Sequence, residues 1–244
     1  MHDKKINSQY LPYQSIQGSL DARIFLTCEH ASAYLPSPWK LTERDEHLNN
    51  THWIFDIGVA PITASLASAL KAPAILCQFS RIIIDSNRDT QADDLIVKYA
   101  DEKIVHLNQN IDRAEYEKRV QNLYQPYHHA MHRLLNQYPN IALLLSMHTF
   151  TPIWQGKKRP MEMGILFYQE TELVRRLYQY LSDRNIKTAL NQPYSGIKGM
   201  FTGKKHGTER GLNLLALEIR QDLAVNSVWR DQLIGYLQSV LKKF

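Results

Sequence analysis

Leu143-Leu-Leu-Ser-Met-His-Thr-Phe-Thr-Pro152 is the stretch on which the reading of the chain turns. Ile141 to Leu145 is a short unbroken apolar run, the mark of a strand covered on both faces, and Pro152 stops any ladder beyond it. His148 is therefore expected where a central strand runs out. In open α/β sheets ligands bind in the crevice beyond the carboxyl ends of the strands, because a rigid sheet holds side chains there within reach of solvent. A lone histidine in such a place is more often packed than catalytic, so the reading depends on how the other strands end.

Three further segments end in the same way. Ile24-Phe-Leu-Thr-Cys-Glu29 is β-rich and gives way to His30, with Pro36 and Pro38 marking a loop. Successive strand residues point to opposite faces, so Glu29 and His30 share a site only if the strand has already turned. His30 is the first choice as a ligand and Glu29 its support or alternative. Ala74 to Ser80 reads as the next strand, followed by Arg81 and Arg88 around Ile82-Ile-Ile-Asp85. Arginine presents a planar fork suited to carboxylates, and an ion pair with Asp85 is the competing use. Leu214 to Asp222 is an apolar strand carrying Glu218, a carboxylate costly to bury unless paired or used.

Between these strands the spacing predicts helices. Val59 to Leu70 is Ala- and Leu-rich with Pro61 in its first turn, and Asp56 ahead of it reads as an N-cap or as a metal ligand. Asp112 caps a helix predicted to run to about Asn136, kinked or divided at Pro126, with His128, His129 and His132 on its surface or behind the site. Glu170 to Arg184 and Asn226 to Leu241 are further helices, Met163 to Tyr168 a strand and Ile186 to Leu190 an edge strand. Gln155 to Pro160 reads as a basic loop. Asn191 to Gly207 is the longest glycine-containing loop, expected to act as a lid bringing Tyr194 and His206 to substrate.

Bulk properties narrow the class. At 244 residues, 44% hydrophobic and 22% charged, the chain suits one α/β domain over residues 1–244 and excludes disordered and fibrous classes. Cys28 and Cys77 lie in apolar runs, where thiols are packed and reduced. The N-terminal stretch has no apolar signal region and nowhere do 18 apolar residues run together, so a cytoplasmic protein is expected. The net charge of +5 is spread among acids, which argues against nucleic acid and leaves a small anionic ligand as partner.

Taken together, Cys28-Glu-His-Ala-Ser32, Asp56-Ile-Gly58, Ser80-Arg81, Asp85-Ser-Asn-Arg88, Pro126-Tyr-His128, Ser146 to Pro152, Asn191-Gln-Pro-Tyr-Ser-Gly196 and Leu217 to Asp222 resemble the N-formylglutamate amidohydrolase family. The resemblance implies a three-layer αβα sandwich with a central mixed, mostly parallel sheet, related to zinc carboxypeptidases and cell-wall amidases. It also implies hydrolysis of a small-molecule N-acyl amino acid, N-formyl-L-glutamate going to formate and L-glutamate. The spread charges and the lack of a long apolar stretch separately argue against a nucleic-acid or membrane partner. Zinc carboxypeptidases carry His-x-x-Glu after an early strand, whereas Ala33 stands three positions after His30. The cell-wall amidases take their acidic ligand from a later helix, which Asp56 matches; Glu29 is the alternative.

On this resemblance His30, Asp56 and His148 hold one zinc, other divalent metals being possible, with a fourth position open to water. Glu218 is similar to the catalytic glutamate and acts as general base. Arg81 and Arg88 hold substrate carboxylates, and Tyr194 or His206 steadies the oxyanion. Two other readings remain at this stage: a metallocarboxypeptidase or other N-acyl amino-acid hydrolase with the same centre, and a catalytically silent protein that binds an anionic amino acid.

Overall fold

The apolar runs are apolar because the sheet they build is covered on both sides. In the computed structural model, which describes residues 10–244, the chain opens with β1 (Tyr13–Ile16), β2 (Ile24–Cys28), α1 (Val59–Leu70) and β3 (Ala74–Cys77). A small hairpin, β4 (Tyr99–Ala100) and β5 (Lys103–Ile104), precedes α2 (Arg113–Arg119), a π-helical turn (Val120–Tyr124) and α3 (Gln125–Gln137). Next come β6 (Leu143–Phe150), a second hairpin of β7 (Ile153–Trp154) and β8 (Lys157–Lys158), β9 (Met163–Phe167), α4 (Glu172–Ser182) and β10 (Thr188–Leu190). The chain closes with α5 (Gly196–Gly199), α6 (Phe201–Gly207), β11 (Asn213–Arg220), α7 (Gln221–Ala224) and α8 (Ser227–Leu241). The N-terminal residues read above for a targeting signal lie outside the described residues. No described helix is long and apolar enough to cross a membrane.

Seven strands form one mixed sheet in the order β1-β3-β2-β6-β11-β9-β10. β3, β2, β6 and β11 run parallel, so their carboxyl ends share one edge, while β9 runs antiparallel to β11 and β1 to β3. The expected layered α/β architecture with its mixed sheet is therefore present. Ile24, Leu26, Leu143, Leu145, Met147, Leu215 and Leu217 pack with α1, α4 and α8 on one face. Phe25, Ile75 and Leu144 pack with α3 on the other. Side chains alternate along a strand, so Ser146 and His148 follow Leu144 onto the α3 face, as does Glu218 in register with His148.

Several expectations change. β6 does not end near Leu145 but runs through His148 to Phe150, because its partner β11 pairs with it over that whole length. Of the two expectations at Pro126, which lacks an N–H and cannot continue the helical ladder behind it, division holds: the π-helical turn separates α2 from α3 just ahead of it. The basic loop is the β7–β8 hairpin. The long glycine-containing loop is broken by α5 and α6. β1 was not foreseen: Tyr-Gln-Ser-Ile is short, half polar and at the sheet edge.

Candidate metal centre and cleft

Three elements bring His30, Asp56 and His148 together. His30 follows the end of β2 by two residues, His148 lies in β6, and Asp56 stands ahead of α1. The capping position of α1 is Gly58, whose φ of 84° is left-handed backbone that glycine adopts without strain, and no side chain caps the helix. Asp56 is thereby released from capping. Its Oδ2 lies 3.0 Å from His148 Nδ1 and 3.5 Å from His30 Nδ1, and accepts from the Thr149 N–H at 3.1 Å. One ligand atom from each of the three residues lies within 4.8 Å of the others, and all three residues are buried.

The far nitrogens of both imidazoles are fixed by carboxylates. His30 Nε2 is 2.7 Å from Asp85 Oδ1, which also accepts from the Asn87 N–H at 2.8 Å. His148 Nε2 lies 3.0 Å from Ser146 Oγ and 3.2 Å from Glu29 Oε2, and Ser146 Oγ donates to the same carboxylate oxygen at 2.7 Å. In each neutral ring an N–H pinned at Nε2 leaves the lone pair at Nδ1, the atom that faces Asp56. His30 Nδ1 is buried and has no hydrogen-bond partner. Such an atom costs stability unless something else binds it, and two imidazole nitrogens with one carboxylate oxygen are the donor set a borderline cation such as zinc prefers. The residues fit a metal.

Residues 22–225 match the family model for N-formylglutamate amidohydrolase. The chain belongs to the N-formylglutamate amidohydrolase family. Its relatives by that model are hydrolases acting on an amide bond. The fold is similar to that of a gene product of Agrobacterium tumefaciens, at 23% identity and a TM-score of 0.84 over 96% of this chain and 94% of that one. It is also similar to an N-formylglutamate amidohydrolase from Ralstonia eutropha JMP134, at 17% identity and a TM-score of 0.72 over 96% and 97%. No curated protein matches the chain in sequence.

In this family member the electrostatics of the centre call for a cation. Burial opposes ionisation of Asp56, but the His30 and His148 imidazoles outweigh it and hold the carboxyl far below the usual range. Asp85 is held well down in the same way, with Arg81 and His30 overcoming burial. Glu29 falls below its ordinary value because His148 and Ser146 outweigh its desolvation. Arg81 donates to Asp85 at 2.7 Å and to Asp56 at 3.4 Å. Three buried carboxylates, Glu29, Asp56 and Asp85, against the Arg81 guanidinium leave an excess of negative charge. Without a metal it is offset in part by a proton on His148, whose imidazole Asp56 and Glu29 push well above its ordinary value against the effect of burial. A divalent ion would take that proton's place.

Glu218 behaves differently. It is buried beside His148, its Oε2 has no hydrogen-bond partner, and burial pushes its carboxyl up to about 8. It lines a cavity of about 240 Å³ together with His30, Asp56, Arg81, Arg88 and Tyr194. Tyr194 arrives there through a close approach of backbone: Gly164 pairs with Glu218 across β9 and β11, and a Cβ on Gly164 would collide with the Gln192 carbonyl.

His206 is not brought to the cleft. It sits on α6 instead of a free loop, buried with its ring stacked on that of His128, centroids 5.1 Å apart and Nε2 2.9 Å from His128 Nδ1. Burial holds it neutral, lowering it to about 4. His129 and His132 are exposed on α3. Glu29, the alternative ligand, supports His148 from behind. The sequence reading did not single out His52, Trp53 and Trp154, which line the cleft from irregular or hairpin segments with no periodicity to flag them. Their one signal in the sequence is an aromatic residue within a few positions of Asp56 and of His148.

Proposed function

We propose that the protein hydrolyses the N-formyl amide of an acidic amino acid, N-formyl-L-glutamate and water giving formate and L-glutamate. The observation that carries this reading is the unpartnered, protonatable Glu218 in register with His148, on the same cleft as a two-histidine, one-aspartate donor set. His30 and His148 through Nδ1, and Asp56 through Oδ2, would hold a divalent ion, zinc being the first candidate. When bound, such an ion supplies a positive charge that polarises the formyl carbonyl and acidifies water.

The chain's own residues supply the rest. Glu218 takes a proton from the attacking water through its free Oε2 as the new C–O bond forms, and returns it to the nitrogen as the C–N bond breaks, so the amine leaves neutral. Its carboxyl, pushed up to about 8 by burial, holds the proton until it is returned to the nitrogen, and the ionised form that takes it is the one a bound cation would favour. Asp85 and Glu29 keep the two imidazoles from rotating. Arg88 offers its guanidinium to a substrate carboxylate, and Arg81, held by Asp85 and Asp56, fixes the carboxylates of the centre while lining the cleft. Tyr194 presents a hydroxyl to the oxygen that gains charge, and its burial keeps it protonated. Trp53 and Trp154 restrict water.

Formate release from N-formyl, N-acetyl and peptide substrates, with and without a chelator, tests the reading together with metal analysis. The expected result is chelator-sensitive release from N-formyl-L-glutamate with about one zinc per chain. Full activity in metal-free protein, or hydrolysis of peptides in preference to N-formyl amino acids, overturns it.

A further inference from the structure

Two arginines, Arg81 and Arg88, line the cleft and a third, Arg159, packs against its lining rings, and the three differ in what already holds them. Arg81 is shared between Asp85 and Asp56. Arg88 pairs through Nε with Asp94 at 2.7 Å and donates through Nη1 to the Asn87 carbonyl at 3.0 Å. Arg159, which follows the β7–β8 hairpin, has no carboxylate within ion-pair distance among the described residues; its Nη1 donates to the Thr151 carbonyl and hydroxyl at 3.2 and 3.3 Å.

That uncompensated charge is also firmly placed. The Arg159 guanidinium lies 5.4 Å from the ring centre of Phe150, 5.3 Å from that of Trp154 and 5.6 Å from that of Tyr194. Trp154 and Tyr194 line the cleft, so the guanidinium stands directly behind two of its lining rings. Its charge is felt by cleft groups on other elements, opposing the upward push on Tyr194 and Glu218. A guanidinium clamped over three rings is pre-ordered and weakly hydrated, and a fork with five N–H groups has donors left after Thr151 is served. An anion meeting it displaces little water and orders nothing new.

On the reading that the cleft takes N-acyl amino acids, we infer that Arg159 receives the side-chain carboxylate of the substrate and sets the preference for acidic amino acids. A substrate with two carboxylates needs two separate cations. Arg88 serves the α-carboxylate and Arg159 the distal one, while Arg81 is neutralised by the centre it braces. The substrate class is then an N-acyl amino acid whose side chain ends in a carboxylate.

The experiment compares N-formyl-L-glutamate with N-formyl-L-glutamine, which has the same shape without the charge, in the wild-type holoenzyme and in Arg159→Gln and Arg159→Lys. The wild type should favour the glutamate substrate in kcat/KM by about 10- to 100-fold, the contribution of a charge-assisted hydrogen-bonded pair. Arg159→Gln should bring that ratio close to one, chiefly through KM, and Arg159→Lys should restore part of it. A ratio unchanged in Arg159→Gln, or equal losses on both substrates, overturns the assignment and leaves Arg159 a clamp for the hairpin. Calorimetric binding of glutarate and of its monoamide separates this result from failure of the hydrolase reading. If no formate is released, the hydrolase reading fails, yet Arg159→Gln should still weaken glutarate about 10-fold or more and spare the monoamide; wild-type protein that does not distinguish the two ligands overturns the role of Arg159.

Discussion

His148 and Glu218 are register partners on the neighbouring parallel strands β6 and β11. Adjacent strands sit about 4.8 Å apart, so the backbone itself sets the spacing between an imidazole of the candidate metal centre and a free carboxyl. The two groups cannot drift apart without breaking the centre of the sheet. Glu218→Gln should therefore remove the proton carrier and little else. Formate release should fall by about 10²- to 10⁴-fold, with zinc content and circular dichroism unchanged. A variant that keeps its rate assigns the proton transfer to another residue.

The same carboxyl makes a prediction about stability. Folding raises Glu218 from its ordinary 4.5 to about 8 through burial. The protonated form is thus the one the fold favours: its contribution is complete below about pH 4.5 and is lost as pH rises through about 8. Metal-free wild type should lose stability across that window by up to a few kcal/mol relative to Glu218→Gln. Urea melts at pH 5 and pH 9 check this, the variant gaining on the wild type at the higher pH. Parallel profiles would mean the carboxyl is hydrated in solution. Bound cation should shrink the difference, because it favours the ionised form.

How much of this was legible in the residues depends on where each residue sits. His148 and Glu218 stand in strands buried on both faces, where a polar residue in or just after an unbroken apolar run is conspicuous. His30 and Asp56 were legible through a terminating strand and a helix start, although only the coordinates show that Gly58 takes the capping place. The partners of the histidines were harder. Asp85 was read as an arginine partner, which it is, but its second oxygen goes to His30 across 55 residues of chain, and nothing local announces that. His206 was misplaced because a segment rich in glycine and lysine reads as a loop, whereas α6 forms there by packing on the α3 side of the sheet.

Asp85 can be tested through the metal instead of the reaction. It accepts the His30 Nε2 proton and anchors Arg81, so Asp85→Asn should loosen the imidazole that offers Nδ1. Zinc affinity, measured by competition with a chromophoric chelator, should fall by about 10- to 100-fold. Glu29→Gln should do the same through His148. Unchanged affinity in both variants would detach these carboxylates from the metal centre.

Loading the centre should stabilise the fold, since the surplus negative charge of the buried carboxylates and an unpartnered imidazole nitrogen are relieved together. At zinc 100-fold above its dissociation constant the gain is about 2.7 kcal/mol, which for a chain of this size raises the melting temperature by roughly 5–10 °C. Differential scanning fluorimetry of chelated and zinc-loaded protein measures it. His30→Ala should abolish the shift. A melting temperature indifferent to zinc, cobalt and manganese would leave the site without a metal.

Gly164 ties the sheet to the segment that delivers Tyr194. It pairs with Glu218 on the next strand, and the Gln192 carbonyl occupies the space its Cβ would take. Alanine there cannot be absorbed by a side-chain rotation, because the obstructing atom is backbone; either β9 shifts against β11 or Asn191 to Ser195 lifts from the cleft. Overpacking of this kind costs about 1–3 kcal/mol. Lifting the loop disturbs fewer contacts than shearing a central strand pair, so Gly164→Ala should stay folded while KM rises and the rate falls through displacement of Tyr194. Comparison with Tyr194→Phe decides the cause: if the loop is what moves, adding Tyr194→Phe to Gly164→Ala should reduce the rate little further. Additive losses would place the damage in the strands and in Glu218 itself.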